Sequence, residues 1–186
     1  ELEGEGGKVS AERQWRYRGD FSYMDLGGSI GKITSALTIP KGVEFLNFWD
    51  CNLGDQGLKY LCKLLKSSSE SSAEIHSIDL WGNGLSDSTC KTLANFLEHN
   101  ESVEELRLWN NQIGDSGATI LAAALKKNSR LLCLSLWRNK IGTIGADALL
   151  EALKENKKLR SLDLGRCIAS KKILEQLDTI TAERGD

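Results

Sequence analysis

The chain has 186 residues, of which 40% are hydrophobic and 27% are charged, and its formal net charge at pH 7 is −2. This length fits one domain with a continuous core, and the small net charge gives no overall field that would favour nucleic acid or an anionic membrane as a partner. The sequence has no run of 18 apolar residues, so it predicts no membrane span.

The N-terminal part of the sequence differs from the rest. Residues 1–20 open with ELEGEGGKVS, which lacks the apolar core of a signal peptide, and we interpret them as a flexible lead-in. In residues 21–42, Phe21, Met24 and Leu26 are spaced like inward-facing residues of a strand, and the only proline, Pro40, follows. This pattern predicts a strand and a shortened turn that cap the segments behind them.

Residues 43–168 contain one short motif five times. Each copy has apolar residues at its first, fourth and sixth positions and Asn or Cys at its ninth. The sixth position is held by Phe48, Leu80, Leu108, Leu136 and Leu164. The ninth is held by Cys51, Asn83, Asn111, Asn139 and Cys167. The alternation predicts a short strand, and the buried amide is expected to bond backbone groups of adjacent copies.

A helical pattern follows each strand in the first four copies, with apolar residues three and four apart. The N-caps expected there are Asp55, Asp87, Asp115 and Thr143. Residues in left-handed conformation are expected at the helix ends, at Asn100, Asn128 and Asn156. The first of these copies has four extra residues around 67–73, which we predict to be a loop.

The last segment, residues 169–186, predicts one more helix. Ile173, Leu174, Leu177 and Ile180 would share one face of it, as expected for a C-terminal capping helix. Terminal repeats are commonly atypical, which favours the cap, and a longer array that is truncated here is the alternative.

The consensus LWxNxIGDxGAxxLAxALKxN, with its period of 28 residues, resembles the ribonuclease-inhibitor class of leucine-rich repeats, and the resemblance extends from Val43 to about Thr181. It implies an α/β fold: a right-handed solenoid in a horseshoe arc, with a parallel sheet on the concave side and helices on the convex side. The class includes repeat domains of NOD-like receptors, tropomodulins and the GTPase-activating protein of Ran. The resemblance therefore indicates a fold and leaves the partner open.

A tryptophan follows the sixth motif position in four copies, and these residues are Trp49, Trp81, Trp109 and Trp137. Because neighbouring parallel strands lie about 4.8 Å apart, we expect the four indoles to form one row on the concave face, here called the tryptophan row. The row would be bounded by Gly27 and Gly165. It could expose roughly 300–500 Å², the size of the largest and often functional patch on a monomer.

Charged and polar side chains are expected around the tryptophan row. They are Asp79, Glu105, Arg107, Asn110 and Arg138. Tryptophan and arginine are enriched among the residues that dominate binding energy, so these side chains and the row form our candidate partner-binding site. The sequence thus predicts a non-catalytic module that binds a protein partner, as a monomer alone or as a subunit of a larger assembly. The alternative is that the indoles stack only to fix the strand register.

Other functions are compatible with the pattern. Indoles can stack on sugars or nucleobases, although the mixed charges of this face argue against a nucleic-acid partner. The resemblance to the Ran-activating relatives implies a GTPase-activating or GTPase-regulating role, for which Arg138 is the candidate arginine finger. A recognition fragment of an immune receptor or pathogen effector is a further alternative.

The cysteines and histidines predict no metal site or cofactor. The five cysteines never form CxxC or CxxxC, which favours reduced thiols in a cytoplasmic protein. His76 and His99 have no partner at metal-ligand spacing, and neither belongs to a concave position. No catalytic pairing is therefore expected, and the protein is predicted not to be an enzyme.

Overall fold

The computed structural model describes residues 18–26, 42–68 and 75–184. Six strands and five helices lie within these ranges. The strands are β1 (Arg18–Asp20), β2 (Phe45–Asn47), β3 (Ser77–Asp79), β4 (Glu105–Arg107), β5 (Cys133–Ser135) and β6 (Ser161–Asp163). The helices are α1 (Gly54–Ser68), α2 (Asp87–Glu98), α3 (Asp115–Lys127), α4 (Thr143–Glu155) and α5 (Lys171–Ala182).

The strands form one parallel sheet in the order β1-β2-β3-β4-β5-β6, with one helix between each pair of consecutive strands from β2 onward. The register places equivalent motif positions side by side, so Ile78 lies between Leu46 and Leu106. This arrangement confirms the predicted α/β solenoid. It also confirms that residues one repeat apart in sequence are neighbours in space.

The hydrophobic core lies between the sheet and the helices. Strand residues such as Leu106 and Leu134 pack with helix residues such as Leu121 and Leu149, and all four are buried. A three-residue strand and one helix cannot close a core alone, so each repeat depends on its neighbours. None of the helices in the described ranges is long and apolar enough to cross a membrane.

Buried asparagine side chains join consecutive repeats, as predicted for Asn83, Asn111 and Asn139. The Asn111 Oδ1 accepts hydrogen bonds from two backbone N–H groups of the preceding repeat. Its Nδ2 donates to three backbone carbonyl oxygens. Buried backbone groups that the short strands leave without a partner are satisfied in this way.

The predicted N-caps are wrong, because the caps of the three middle helices are Ser86, Gly114 and Gly142. Asp87, Asp115 and Thr143 are the first helical residues, and Asp55 is the second residue of α1.

The aspartates instead cap the helix of the next repeat. Asp87 Oδ1 accepts from the Gly114 N–H at 2.6 Å, and Asp115 Oδ1 accepts from the N–H groups of Gly142 and Gly145 at 2.7 and 2.8 Å. We call these contacts inter-repeat caps. Gly145 permits the approach, since a Cβ there would lie 2.7 Å from Asp115 Oδ1.

The asparagines at the helix ends also differ from the prediction. Asn128 and Asn156 have φ values of −73° and −72°, which are not left-handed. Their side chains are buried and bond the backbone instead, with Nδ2 of Asn128 donating to the Leu97 carbonyl of the preceding helix. Asn100 accepts from the Val103 N–H and donates to its carbonyl, so it closes the turn before β4. These residues form a second set of bonds between backbone segments rather than αL caps.

The first strand lies earlier than predicted. In β1, Gly19 pairs with Leu46, so Phe21 rather than Leu26 is equivalent to Phe48. The rings of Phe21 and Phe48 stack with centroids 4.9 Å apart. The strand was missed because Gly19 holds an inward position where a Cβ would lie only 3.0 Å from the Leu46 side chain, which removes the apolar signal. Residues 18–20 of the predicted lead-in are therefore part of the sheet.

Candidate protein-binding surface

Each of the four tryptophans of the row is the second residue after its strand, β2 to β5, but they do not form one continuous stack. Trp49 and Trp81 meet edge to face with ring centroids 4.8 Å apart. Trp109 and Trp137 are tilted by 47° with centroids 5.8 Å apart. Within the described part of the chain, no ring contact joins Trp81 to Trp109. The prediction of a uniform row is therefore corrected to two adjacent pairs.

The pairs differ in exposure and in hydrogen bonding. Trp49 is 38% exposed, whereas Trp81, Trp109 and Trp137 are half-buried. The Trp109 Nε1 is buried and has no hydrogen-bond acceptor among the described residues. Leaving such a donor without an acceptor costs about 1–3 kcal/mol. The indole at this position therefore carries a cost that offsets part of the stability gained from its packing against Trp137.

An exposed tyrosine extends the row at its N-terminal end. The Tyr23 ring lies 5.6 Å from the Trp49 ring and is 67% exposed, and the next residue, Met24, is 48% exposed. The predicted boundary residue Gly27 lies outside the described residues. The position equivalent to the tryptophans is held by Ser22, because the first strand begins five residues earlier than the sequence pattern indicated.

At the other end, Gly165 bounds the row as predicted. A Cβ on Gly165 would lie 2.5 Å from Cδ1 of Trp137, so the indole occupies the space that a side chain would need. The Arg166 guanidinium carbon lies 5.2 Å from the Trp137 ring centroid, within the range of a cation–π contact. Trp137 is therefore held between a glycine and an arginine.

The residue after each tryptophan, and the equivalent residue after Ser22 and after Gly165, has a left-handed backbone. The values of φ lie between 52° and 67° at Tyr23, Asp50, Gly82, Asn110, Arg138 and Arg166. Glycine, asparagine and aspartate tolerate this conformation, whereas tyrosine and arginine are strained in it. The side chains of Tyr23, Arg138 and Arg166 are therefore held beside the row at a cost in backbone energy.

Three predicted site residues form one ion-pair cluster beside the row. The Arg107 guanidinium lies 2.8 Å from a Glu105 oxygen and 3.6 Å from an Asp79 oxygen, and Ser77 Oγ donates to Glu105 at 2.8 Å. Burial raises the pKa of Asp79, although hydrogen bonds from the Trp81 N–H and from Arg107 oppose the rise. The predicted site residues Asn110 and Arg138 lie apart from this cluster, and Arg138 is exposed.

The sequence pattern left Tyr23 out of the candidate site and placed Met24 among the inward-facing residues, which is wrong because Met24 is 48% exposed. The available signal was the spacing of 27 residues between Phe21 and Phe48, which is closer to the repeat length than the 22 residues from Leu26. Within the described ranges, no group of three or more His, Cys, Asp or Glu side chains is placed to hold a metal ion.

Comparison with known proteins agrees with this geometry. The family model described as Leucine Rich repeat matches residues 43–62 and 99–122. The chain has the leucine-rich-repeat fold. Among curated proteins, none matches the sequence.

Two solved structures with the same fold each match more than four fifths of this chain. Leiomodin-1 Actin-Binding Site 2 has a TM-score of 0.65 at 16% identity, over 86% of this chain and 88% of that one. The tropomodulin C-terminal domain from Caenorhabditis elegans has a TM-score of 0.64 at 16% identity, over 87% of this chain and 93% of that one. At this identity the likeness concerns the fold.

Proposed function

We propose that this leucine-rich-repeat protein is a non-catalytic protein-binding module whose partner docks on the concave side of the solenoid. The docking site would comprise Tyr23, the tryptophan row and Arg166, which we call the tryptophan surface. The main support for this site is that three large side chains are exposed at one end of the surface: Tyr23 (67%), Met24 (48%) and Trp49 (38%). Exposed aromatic side chains next to one another are typical of interaction sites.

The strained and unsatisfied groups support the same proposal. Tyr23 and Arg166 have a costly backbone conformation, and Trp109 has a buried donor for which the described residues supply no acceptor. Energetic costs of this kind concentrate where a side chain is needed for function. The similar leiomodin-1 structure is itself an actin-binding site by its description, which shows that the fold serves protein binding in that protein.

The sheet is suited to this role because it is rigid. Each strand is bonded to its neighbours, and the ring contacts fix the indoles before a partner arrives. Little side-chain ordering is then required on binding, which favours affinity. We expect the part of the partner that meets Tyr23 and Trp49 to be apolar.

The experiment compares a double variant, Tyr23→Ala with Trp49→Ala, and a control, Tyr60→Ala. Tyr60 is a similarly exposed aromatic residue (44%) on α1. Wild-type protein is used to capture partners from a cell extract, and the dissociation constant of the purified partner is then measured for each variant. We expect at least about a 30-fold loss for the double variant, corresponding to roughly 2 kcal/mol. Wild-type affinity in a double variant with an unchanged circular dichroism spectrum would contradict the proposal.

A GTPase-regulating role is the second candidate function, and the exposure of Arg138 beside Trp137 favours it. An exposed arginine can supply positive charge to a phosphoryl-transfer transition state. Its test is GTP hydrolysis by small GTPases with and without the protein, with Arg138→Ala losing any stimulation. Stimulation that survives this substitution would rule out Arg138 as the finger.

We also propose a cytoplasmic location. All five cysteines are free, and burial raises the pKa of the thiols of Cys62 and Cys90 to about 12. Such thiols suit a reducing compartment. Alkylation of the protein in freshly lysed cells, followed by intact mass measurement, should show five reduced cysteines after denaturation. Disulfide-linked species would contradict this location.

A further inference from the structure

A groove on the helix layer, between α1 and α2, is lined by four lysines. They are Lys59, Lys63, Lys66 and Lys91. Thr92 and Asn95 of α2 complete the polar lining, and the groove encloses about 460 Å³. The buried thiol of Cys62 lies at this groove, so the interior is apolar below the charged rim.

The lysines of this groove differ from those of the other helices in their partners. Lys126 pairs with Glu155 at 2.6 Å and Lys127 pairs with Glu98 at 3.1 Å, each across to a neighbouring helix. By contrast, no carboxylate of the described residues lines the groove, where Lys66 donates to the Asn95 Oδ1 at 2.7 Å.

The remaining three lysines leave positive charge uncompensated. Lys59, Lys63 and Lys91 form no salt bridge within residues 18–26, 42–68 and 75–184. A cleft with charges of one sign concentrates the electric field and attracts counter-charges. The groove is therefore a local positive site on a protein whose net charge is −2.

The spacing of these lysines matches an extended chain. Lys59 and Lys63 are four residues apart on α1, which separates them by about 6 Å along the helix axis. Side chains at alternate positions of an extended segment are about 6.6 Å apart on one face. Lys91 on α2 faces the same groove from the other side. Thr92 and Asn95 offer hydroxyl and amide groups to the backbone of such a segment.

We propose that this groove binds an extended acidic segment of a partner protein, with carboxylates at alternate positions contacting Lys59, Lys63 and Lys91. The groove volume accommodates a few side chains of this kind. Nucleic acid fits the lining poorly, since none of the lining residues is aromatic and bases are held largely by stacking on aromatic rings. The site lies on the helix layer and is separate from the tryptophan surface, so it does not depend on the function proposed there.

The test uses a fluorescein-labelled peptide of alternating Glu and Ala, measured by fluorescence anisotropy on the full chain at about 20 mM salt. We expect saturable binding that is lost at about 500 mM salt, where exposed charges are screened. The double substitution Lys63→Gln with Lys91→Gln should weaken binding roughly tenfold, the product of two exposed ion pairs. The matched control, Lys157→Gln with Lys158→Gln, removes the same charge from an exposed loop after α4 and should bind as the wild type does.

Three results would overturn the proposal. Equal weakening in both double variants would show that only net charge matters. Equal affinity for a peptide with its Glu residues in one block would show that the lysines do not recognise carboxylates at alternate positions. Tighter binding of a short single-stranded oligonucleotide to the same lysines would assign the groove to nucleic acid instead.

Discussion

The side chain of Asn111 bonds five backbone groups of two repeats, and four of these hydrogen bonds are buried. Asn111→Ala would leave two N–H groups and several carbonyls without a partner. At about 1–3 kcal/mol for each buried unsatisfied group, partly relieved by relaxation, we expect a loss of about 3–5 kcal/mol in the free energy of unfolding. Urea denaturation followed by circular dichroism measures it.

The neighbouring residue provides the control for this substitution. Asn110 is half-exposed and has a left-handed backbone that glycine adopts readily, so Asn110→Gly should change stability by less than about 1 kcal/mol. Similar losses in the two variants would contradict the assigned role of the Asn111 amide.

Asp55 makes stability depend on pH. Burial alone would raise its pKa, but hydrogen bonds from Ser88, Thr89 and Ser86 outweigh burial and lower the pKa to about 2 from a usual 3.8. A carboxylate with a lowered pKa in the folded state stabilises the fold above its unfolded pKa, and the contribution is lost as pH falls toward 2.

The corresponding experiment compares the wild type with Asp55→Asn between pH 6 and pH 2. We expect the wild type to be more stable by about 1–2 kcal/mol at pH 6, after allowing for screening at this partly exposed site, and the difference to vanish near pH 2. A difference that stays constant over this range would show that ionisation of Asp55 is irrelevant to folding.

At single positions, the sequence predicted roles that follow from local chemistry. The buried amides of Asn83, Asn111 and Asn139 were predictable because the motif repeats and an amide both donates and accepts. The position of Tyr23 beside Trp49 could not be predicted, because Gly19 has no apolar side chain that would indicate the strand β1. Its exposure beside Trp49 depends on a strand register that the apolar pattern misplaced by five residues.

The helices α2, α3 and α4 share one feature at their N-terminal ends. The backbone N–H of the residue just before each helix donates a hydrogen bond to an aspartate of the previous repeat. Asp115→Ala should therefore destabilise the start of α4, although Asp115 belongs to α3. Loss of an N-cap typically costs about 1–2 kcal/mol, and we expect a decrease of that size in urea denaturation.

Asp147 is the matched control for the inter-repeat cap. It is exposed on α4, and Asp147→Ala removes the same charge without removing a cap. Hydrogen exchange at Gly142 and Gly145 should accelerate in Asp115→Ala alone. Acceleration confined to α3 would mean that Asp115 acts only within its own helix.

The existence and approximate extent of the helices could be predicted from periodicity, whereas their caps could not. An aspartate before an apolar helical pattern resembles a local N-cap. The side chain instead bonds the start of the next helix. Asp115, for example, accepts from the Gly142 N–H, which lies 27 residues later in the sequence. Local sequence rules do not contain that partner, because it exists only once the repeats are stacked.

For the molecule as a whole, cohesion decreases toward the C-terminal end. Helices α2, α3 and α4 each bury six residues, whereas α5 buries only Ile173 and Leu177. In a solenoid, stability is approximately a sum of repeat and nearest-neighbour terms, so the ends open first. We expect amide protons of α5 to exchange at least about tenfold faster than those of α3. Uniform exchange across these helices would indicate a single cooperative unit instead.

The overall architecture was the most predictable level, because a period of 28 residues constrains every repeat at once. The order of the strands and their parallel pairing follow from that period. The separation of the tryptophan row into two pairs does not follow from it, since the period fixes the position of each residue along the chain and leaves the orientation of its ring open.

The inter-repeat caps also constrain how such a chain can be lengthened or recombined. Each aspartate caps the helix of the following repeat. The shortest segment that contains both partners of a cap therefore runs from one aspartate to the start of the next helix, and it crosses a boundary between repeats. Duplication of the stretch from Asp87 to Gly114 would reproduce both partners of a cap and add a complete module. In α4, Thr143 stands where α2 and α3 have the capping aspartate. A module inserted after α4 would therefore begin with a helix that no carboxylate caps. Growth of the array by duplication is therefore favoured in its middle over its C-terminal end.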